Sequence, residues 1–149
     1  MTTTLDFEQL NESLVEVFDN VMWMEEAALR RSDFADISIK DMHTIAAISM
    51  YDEKSASQVA SMMRLTPSAM TTAIDKLVDK GYVERRRSTT DRRVVRLGLT
   101  HKGRVVFRAH QGFHRDLSRH LLDDMSEQEA TIVQKALANL RNYLARLAL

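Results

Sequence analysis

Apolar residues recur at steps of three and four along most of the chain, which predicts a mainly helical fold. The first such segment covers about residues 6–29, and the second runs from a Ser-x-x-Asp start at Ser38 to about Met50. A serine or threonine also precedes each later apolar segment, where its oxygen can accept hydrogen bonds from the first backbone N–H groups of a helix. These patterns predict further helices at about 55–63, 67–80, 101–122 and 127–147.

Two β-favouring segments, YVERR and VVRLGLT, follow the fourth predicted helix and are separated by the polar stretch RSTTDRR. Such a sequence is typical of a β-hairpin. The two short helices before it are joined only by RLT, with Thr66 as a predicted N-cap and Pro67 at the first helical position. This order predicts a winged helix-turn-helix within a mainly α fold.

The first and last predicted helices carry more apolar surface than one small chain can cover. The last helix, 127–147, is apolar over more than one stripe. Pairing with the first helix of a second copy would bury both surfaces, and a twofold dimer is the commonest closed assembly. We therefore expect a homodimer of a single domain, 1–149, in which 1–36 and 105–149 are dimerisation helices and 37–104 is the winged helix-turn-helix part.

Composition limits the available chemistry. The chain has no cysteine, which excludes disulfides, thiolate metal sites and thiol nucleophiles. Its N-terminus lacks a basic start followed by an apolar run, and no window approaches the length needed to cross a bilayer. We expect a soluble, cytoplasmic protein that needs no cofactor and has no membrane partner.

The formal net charge is zero, but the charges are segregated along the chain. Residues 1–54 contain 4 basic and 12 acidic residues, whereas residues 55–104 contain 11 basic and 4 acidic ones. A localised basic region is typical of a protein that binds a polyanion. The alternative is a solvated hairpin whose arginines form surface ion pairs, with Asp91 bonding Arg93 or Arg85.

Double-stranded DNA is the partner that this arrangement favours. The helix that begins at Pro67 is narrow enough for the major groove, and the hairpin arginines can follow phosphates or enter an adjacent minor groove. We expect Asp91 to fix the loop of the hairpin so that the arginines point outward. The candidate DNA contacts are Ser57, Ser68, Thr71, Thr72, Lys76, Arg87, Ser88, Arg92 and Arg93. Taken alone, the two threonines also fit an ordinary exposed helix face.

Other function classes find less support. The sequence has no glycine-rich phosphate loop, no Gly-x-Ser-x-Gly elbow and no His-Glu-x-x-His motif, so nothing indicates an enzyme. A pure protein-interaction module would explain the apolar terminal helices, but it would leave the arginine hairpin without a role.

With these residues in this order, the sequence resembles the MarR family of transcriptional regulators over nearly its whole length. The stretches SASQVASMMRLTPSAMTTAIDKLVDKGYVERR and DRRVVRLGLTHKG carry the resemblance. It implies a triangular homodimer with interlocked terminal helices, in which two winged motifs read the halves of a palindromic operator. It also implies that Arg92 enters the minor groove and that Asp91 and Arg93 brace the wing.

Some stretches, among them ADISIKDMHTI and AHQGFHRD, further resemble family members that repress fatty acid biosynthesis genes. That resemblance implies long-chain acyl-acyl carrier protein, or another acyl ligand, as an effector that acts as a corepressor. The acyl chain would occupy an apolar tunnel at the base of the dimerisation helices. The stretch RLTPSAM departs from this pattern by its proline.

An effector regulates only if it binds two dimer arrangements with different affinity, and we expect its site between the first, second and fifth helices. Methionine adapts well to a flexible apolar guest, although core packing also explains each of these methionines. The candidate lining residues are Met22, Met24, Met42, His43, Phe107, His110 and His114.

A metal ion is the alternative effector. His110 and His114 are one helical turn apart, a spacing that can chelate a metal, with His43 and either Glu25 or Glu26 as further ligands. Some MarR relatives sense zinc or manganese, so the resemblance also admits a regulator that responds to a metal ion or to another small apolar ligand. A third role for a histidine is a hydrogen bond that joins the fifth helix to the second.

Overall fold

The computed structural model describes residues 5–147. It confirms the mainly α fold with a two-stranded hairpin, and the element boundaries lie close to those predicted. The elements are α1 (Phe7–Arg30), α2 (Ile39–Ile48), α3 (Ala56–Met63), α4 (Pro67–Asp79), β1 (Val83–Arg87), β2 (Val95–Leu99), α5 (His101–Leu121) and α6 (Glu127–Leu147). The chain divides into two compact units, Met1–His110 and Gln111–Leu149, so α5 contributes to both.

Side-chain caps begin the helices where the sequence predicts them. At α2, the Ser38 hydroxyl accepts from the Asp41 N–H at 3.1 Å, and the Asp41 carboxylate accepts from the Ser38 N–H at 2.9 Å. Ser55 and Gln58 form the same reciprocal pair at α3, and Thr66 caps α4. Each cap contributes about 1 kcal/mol to the stability of its helix.

The core of the first unit lies between α2, α3, α4 and the hairpin. Its fully buried side chains include Ile45, Ile48, Val59, Met70, Ile74, Leu77, Tyr82, Val83 and Leu97. Because Ile74 and Leu77 occupy the inner face of α4, the opposite face, with Ser68, Thr71 and Thr72, stays exposed.

The hairpin is antiparallel, with Val83 opposite Leu99 at its base and Arg87 opposite Val95 near its tip. The base is fixed tightly to the start of α5. A Cβ atom at Gly103 would lie 2.1 Å from the backbone carbonyl oxygen of Tyr82, so only glycine allows this approach.

Apolar side chains of α1 and α6 face solvent in the single chain. None of the described residues of α6 is buried. The exposed large apolar residues of the two helices include Phe7, Leu10, Leu14, Val17, Phe18, Ile132, Leu137, Tyr143 and Leu144. This is the uncovered surface that the sequence predicts, while its pairing with a second copy stays a prediction.

Within residues 5–147, no helix combines the length and the apolar character that crossing a membrane requires.

Candidate nucleic-acid interface

The outer face of α4 carries the predicted base-reading hydroxyls. Thr71 donates its hydroxyl proton to the carbonyl of Pro67 at 2.9 Å, and Thr72 donates to the carbonyl of Ser68 at 3.1 Å. Both threonines are exposed. Since these protons are used within the helix, the hydroxyl oxygens remain available as acceptors, and the methyl groups suit contact with a thymine methyl. Ser57 is likewise exposed, on α3.

Lys76, a predicted DNA contact, forms an ion pair within the protein although its own side chain is 45% exposed. Its ammonium group lies 2.7 Å from the carboxylate of Asp41, whose side chain is only 8% exposed. Burial raises the pKa of Asp41, but the hydrogen bonds from Lys76 and Ser38 outweigh burial and hold that pKa below its usual range. Lys76 therefore links α4 to α2, a role that the sequence pattern did not indicate.

The arginines divide between the base and the tip of the wing. At the base, Arg85 forms an ion pair with Asp75, and Arg86 forms one with Glu84. The interpretation of surface ion pairs is thus right for the arginines at the base, although the partner of Arg85 is not the Asp91 that the sequence suggested.

At the tip, Arg87, Arg92 and Arg93 are exposed. Within the part of the chain that the structure describes, no ion pair or hydrogen bond engages the guanidinium group of any of these three. The tip therefore carries three uncompensated positive charges, which is the arrangement that a phosphate backbone attracts.

The loop of the wing is held by its own side chains. The Ser88 hydroxyl accepts from the N–H groups of Thr90 and Asp91, each at 3.3 Å, and the Asp91 carboxylate accepts from the Arg93 N–H at 3.0 Å. Ser88 is only 8% exposed. Its hydroxyl therefore supports the loop from within, while its predicted contact with DNA stays a prediction. Asp91 braces the wing through the backbone of Arg93.

A second anchor lies at the turn between α4 and β1. The buried Tyr82 donates its hydroxyl proton to Asp36, and the ammonium of Lys102 lies 4.2 Å from the centre of the Tyr82 ring. Burial, followed by the bond to Asp36, raises the pKa of Tyr82, and that same hydrogen bond lowers the pKa of Asp36. These contacts fix the start of the wing to the loop before α2.

The predicted effector residues differ in their burial. Met42 and Phe107 belong to the core, whereas Met22, Met24 and His114 are exposed. An open groove of about 870 Å³ runs along α1 and the start of α2. Of the seven predicted residues it is lined by Met22 alone, and its other apolar lining residues are Trp23, Leu29, Ala35, Ile37 and Ile39.

Two of the predicted metal ligands lie together beside a buried carboxylate. Glu25 is 5% exposed, and its carboxylate oxygens lie 3.1 Å from Nε2 of His110 and 3.4 Å from Nε2 of His43. The hydrogen bond predicted to run from α5 to α2 instead joins His110 to α1, while His110 and His43 contact each other through their rings.

Comparison with known proteins agrees with this architecture. Residues 37–95 match the MarR family. Streptococcus pneumoniae FabT, solved in complex with DNA, is similar at 44% identity and a TM-score of 0.83, over 95% of this chain and 99% of that one.

Curated relatives lie at lower identity. The transcriptional regulator PchR of Bacillus subtilis is 28% identical over 145 residues, which cover 94% of this chain and 81% of that protein. The transcriptional repressor MdtR of Bacillus subtilis is 28% identical over 88 residues, and the match spans 59% of this chain but only 57% of that repressor.

The fold, the exposed face of α4 and the cationic wing tip agree with the sequence resemblance, and the similarity to the DNA-bound protein extends over nearly the whole chain. The chain belongs to the MarR family and is a DNA-binding transcriptional regulator rather than an enzyme.

Proposed function

We propose that the protein is a dimeric cytoplasmic repressor of fatty acid biosynthesis genes whose DNA affinity is modulated by long-chain acyl-acyl carrier protein. In this proposal α4 enters the major groove of a palindromic operator, and the wing enters the adjacent minor groove. The observation that carries the DNA part is the uncompensated charge of Arg87, Arg92 and Arg93 in the same unit as the exposed hydroxyl face of α4.

The two elements divide the work of binding. Arginine at the wing tip supplies affinity that depends on salt but little on sequence, and a narrow minor groove attracts it further. The hydroxyl and methyl groups of Thr71 and Thr72 can distinguish base edges in the major groove. The ion pair of Lys76 with Asp41 keeps this reading face at a fixed angle to the rest of the unit.

The exposed apolar faces of α1 and α6 support dimerisation. Phe18 is 54% exposed and Leu137 is 52% exposed in the single chain. Burying apolar surface of this kind stabilises an assembly by about 25 cal/mol per Å². A twofold dimer would also present two α4 helices to successive turns of the duplex, as a palindromic operator requires.

The acyl effector is supported by the sequence resemblance to fatty acid biosynthesis repressors and by the groove along α1. Met22, Trp23 and Ile37 give the groove apolar walls, and its volume lies within the usual range for ligand sites. Lys40 lines the same groove and offers a positive charge to the phosphate of the carrier protein's prosthetic arm. We assign the acyl chain to this groove.

A physical route joins the groove to the recognition helix. Ser38 lines the groove and caps α2, and Asp41 completes that cap while holding Lys76 of α4. An occupant that shifts the start of α2 would therefore change the angle of α4. Such a ligand would alter DNA affinity to the extent that it binds the two arrangements differently.

The test is a titration of labelled promoter DNA from a fatty acid synthesis operon of the same genome, followed by fluorescence anisotropy at fixed salt. Long-chain acyl-acyl carrier protein should tighten binding, whereas the unacylated carrier should leave it unchanged. Equal affinity for unrelated promoters, or an equal effect of the unacylated carrier, would contradict the proposal.

A matched pair of variants tests the groove. Met22→Gln places a polar group on the groove wall and should weaken the response to the acylated carrier without weakening DNA binding itself. Met125→Gln changes an exposed methionine that does not line the groove, and it should respond as the unaltered protein does. The same response in both variants would place the acyl site elsewhere.

A further inference from the structure

Helix α3 ends in a left-handed residue that is not glycine. Arg64 has φ 54° and ψ 43°, which places its backbone in the left-handed region. The Leu65 N–H donates to the Ala60 carbonyl at 2.9 Å, and the Arg64 N–H donates to the Ser61 carbonyl at 3.2 Å. These bonds close the last turn of α3 as a motif of the Schellman type, in which glycine is the usual residue at the left-handed position.

The next helix shows that the motif itself does not need arginine. Helix α4 ends in the same way, with the Tyr82 N–H donating to the Leu77 carbonyl at 2.9 Å and the Gly81 N–H donating to the Val78 carbonyl at 3.0 Å. There the left-handed position, with φ 80°, is occupied by Gly81. A residue with a Cβ atom is less stable in this region than glycine. The turn at Arg64 is therefore less stable than a glycine turn would be, and its geometry does not explain the arginine.

The side chain of Arg64 is exposed and carries a positive charge. Among the residues that the structure describes, none forms an ion pair or hydrogen bond with its guanidinium group. In this it differs from Arg85 and Arg86 of β1, each of which pairs with an acid. Arg64 thus adds an uncompensated charge to the basic part of the chain, separate from the three at the wing tip.

Arg64 also lies beside the outer face of α4. It comes two residues before Thr66, the N-cap of α4, and the exposed Ser68 lies in the first turn of that helix. In a helix-turn-helix the second helix enters the major groove while the first crosses the DNA backbone, so the turn between them lies close to phosphates. A guanidinium group in this turn can donate two parallel hydrogen bonds to one phosphate.

We propose that Arg64 binds a DNA backbone phosphate from the turn between α3 and α4. The contact adds affinity on every DNA sequence and helps to fix the register of α4 on the duplex. It is obtained at the cost of a turn less stable than one with glycine. The inference rests on the DNA part of the proposed function and on neither the effector nor the genes.

A structural role competes with this one. A cation beside the last carbonyls of a helix interacts favourably with the helix dipole, and Arg64 follows the last residue of α3. If the dipole were the reason for the arginine, Arg64→Gly should lower the stability of the protein. If the arginine serves DNA, the same substitution should raise the stability and weaken DNA binding.

Fluorescence anisotropy with two unrelated DNA duplexes, over a range of salt concentrations, tests the phosphate contact. Arg64→Gln should weaken binding to both duplexes by the same factor and reduce the slope of log affinity against log salt by about one. Arg64→Lys keeps the charge and should keep the slope. Arg115→Gln removes an exposed arginine of α5, outside the winged helix-turn-helix part, and should also keep the slope.

Thermal unfolding at a fixed protein concentration tests the cost of the left-handed turn. Arg64→Gly should raise Tm by about 2–4 °C, because glycine adopts this backbone without strain. It should also reduce the salt slope as Arg64→Gln does. Asp124→Gly is the matched control, since Asp124 is exposed between α5 and α6 and has φ 59°. It should raise Tm as well but leave the slope unchanged.

The outcomes separate this contact from the rest of the DNA interface. An unchanged slope in Arg64→Gln, or an equal reduction in Arg115→Gln, would overturn the phosphate contact. A lower Tm in Arg64→Gly would overturn the cost of the turn and leave the dipole of α3 as the reason for the arginine. A slope reduced in Arg92→Ala but not in Arg64→Gln would remove Arg64 alone, whereas unchanged slopes in both would also count against the proposed function.

Discussion

The carboxylate of Asp41 on α2 lies 2.7 Å from the ammonium group of Lys76 on α4. The same carboxylate accepts the Ser38 N–H and so completes the cap of α2. One buried acid thus fixes both the start of α2 and the angle of the recognition helix. The positive charge of Lys76, on the recognition helix α4, therefore pairs with a carboxylate of the protein itself.

We predict that Lys76→Met and Asp41→Asn lower operator affinity in the same way. Each change removes one partner of the ion pair while keeping much of the side-chain shape, so both should loosen α4. The double variant should lose little more than either single variant, because coupled partners are not additive. Fluorescence anisotropy over a range of salt concentrations measures all three.

The salt dependence separates this role from a direct contact. If Lys76 met a DNA phosphate, Lys76→Met would reduce the slope of log affinity against log salt by about one. For a positioning residue we expect an unchanged slope. A reduced slope in Lys76→Met together with full affinity in Asp41→Asn would refute the positioning role.

The same ion pair predicts a pH dependence of stability. The folded state lowers the pKa of Asp41 below its unfolded value of about 3.9. A lowered pKa contributes stability that is present above the unfolded value and is lost as the pH falls through the folded value. The difference in free energy of unfolding between the unaltered protein and Asp41→Asn should therefore shrink below about pH 4. Urea unfolding at neutral and acidic pH measures it, and a constant difference would contradict the assignment.

The wing tip predicts a different signature. Arg92→Ala removes an uncompensated charge, so affinity should fall on all DNA sequences and the salt slope should fall by about one. Arg86→Ala is the matched control, because Glu84 and Glu53 already engage this arginine. Its salt slope should change less. Equal slopes in the unaltered protein and in Arg92→Ala would remove the tip from the DNA interface.

Local signals explain why the elements were predictable from sequence. Helix caps depend only on neighbouring residues, as at Ser38, Ser55 and Thr66. The turn after α4 is equally local, since it depends on the positive φ of 80° at Gly81. The hydrophobic periodicity of the helices also needs no tertiary information. The winged helix-turn-helix followed from these signals in order.

The pairings across elements were not predictable in the same way. Asp41 and Lys76 are 35 positions apart, and only the packing of α4 on α2 brings them together. The sequence offered Asp91 as the partner of Arg85, but in the fold Arg85 of β1 pairs with Asp75 of α4. The sequence named His43, and either Glu25 or Glu26, as further candidate ligands beside the two histidines, but only the packing of the helices decides that Glu25 is the buried one.

We predict that Thr72→Val changes the sequence preference of DNA binding. The variant keeps a methyl group but loses the hydroxyl, whose oxygen can still accept a hydrogen bond from a base while its proton is donated to the Ser68 carbonyl. Discrimination between the operator and single-base variants should change by about 1–3 kcal/mol at one position, with non-specific affinity unchanged. Thr131→Val is the matched control, since Thr131 makes the same backward hydrogen bond on α6, to Glu127. Unchanged preference in Thr72→Val would exclude Thr72 from base reading.

Disrupting the apolar face of α6 should separate the subunits. Leu137 is 52% exposed in the single chain, and burial of a leucine side chain contributes about 1.5–3 kcal/mol. Leu137→Glu removes this contribution and places a charge in the interface, so the dimer dissociation constant should rise by more than about tenfold. Analytical ultracentrifugation measures it, with Val95→Glu as a control because Val95 is exposed on β2, outside both terminal helices.

Operator affinity of Leu137→Glu should fall with dimer content, since one subunit reaches only half of a palindrome. A Leu137→Glu protein that stays dimeric would show that the subunits pair through another surface.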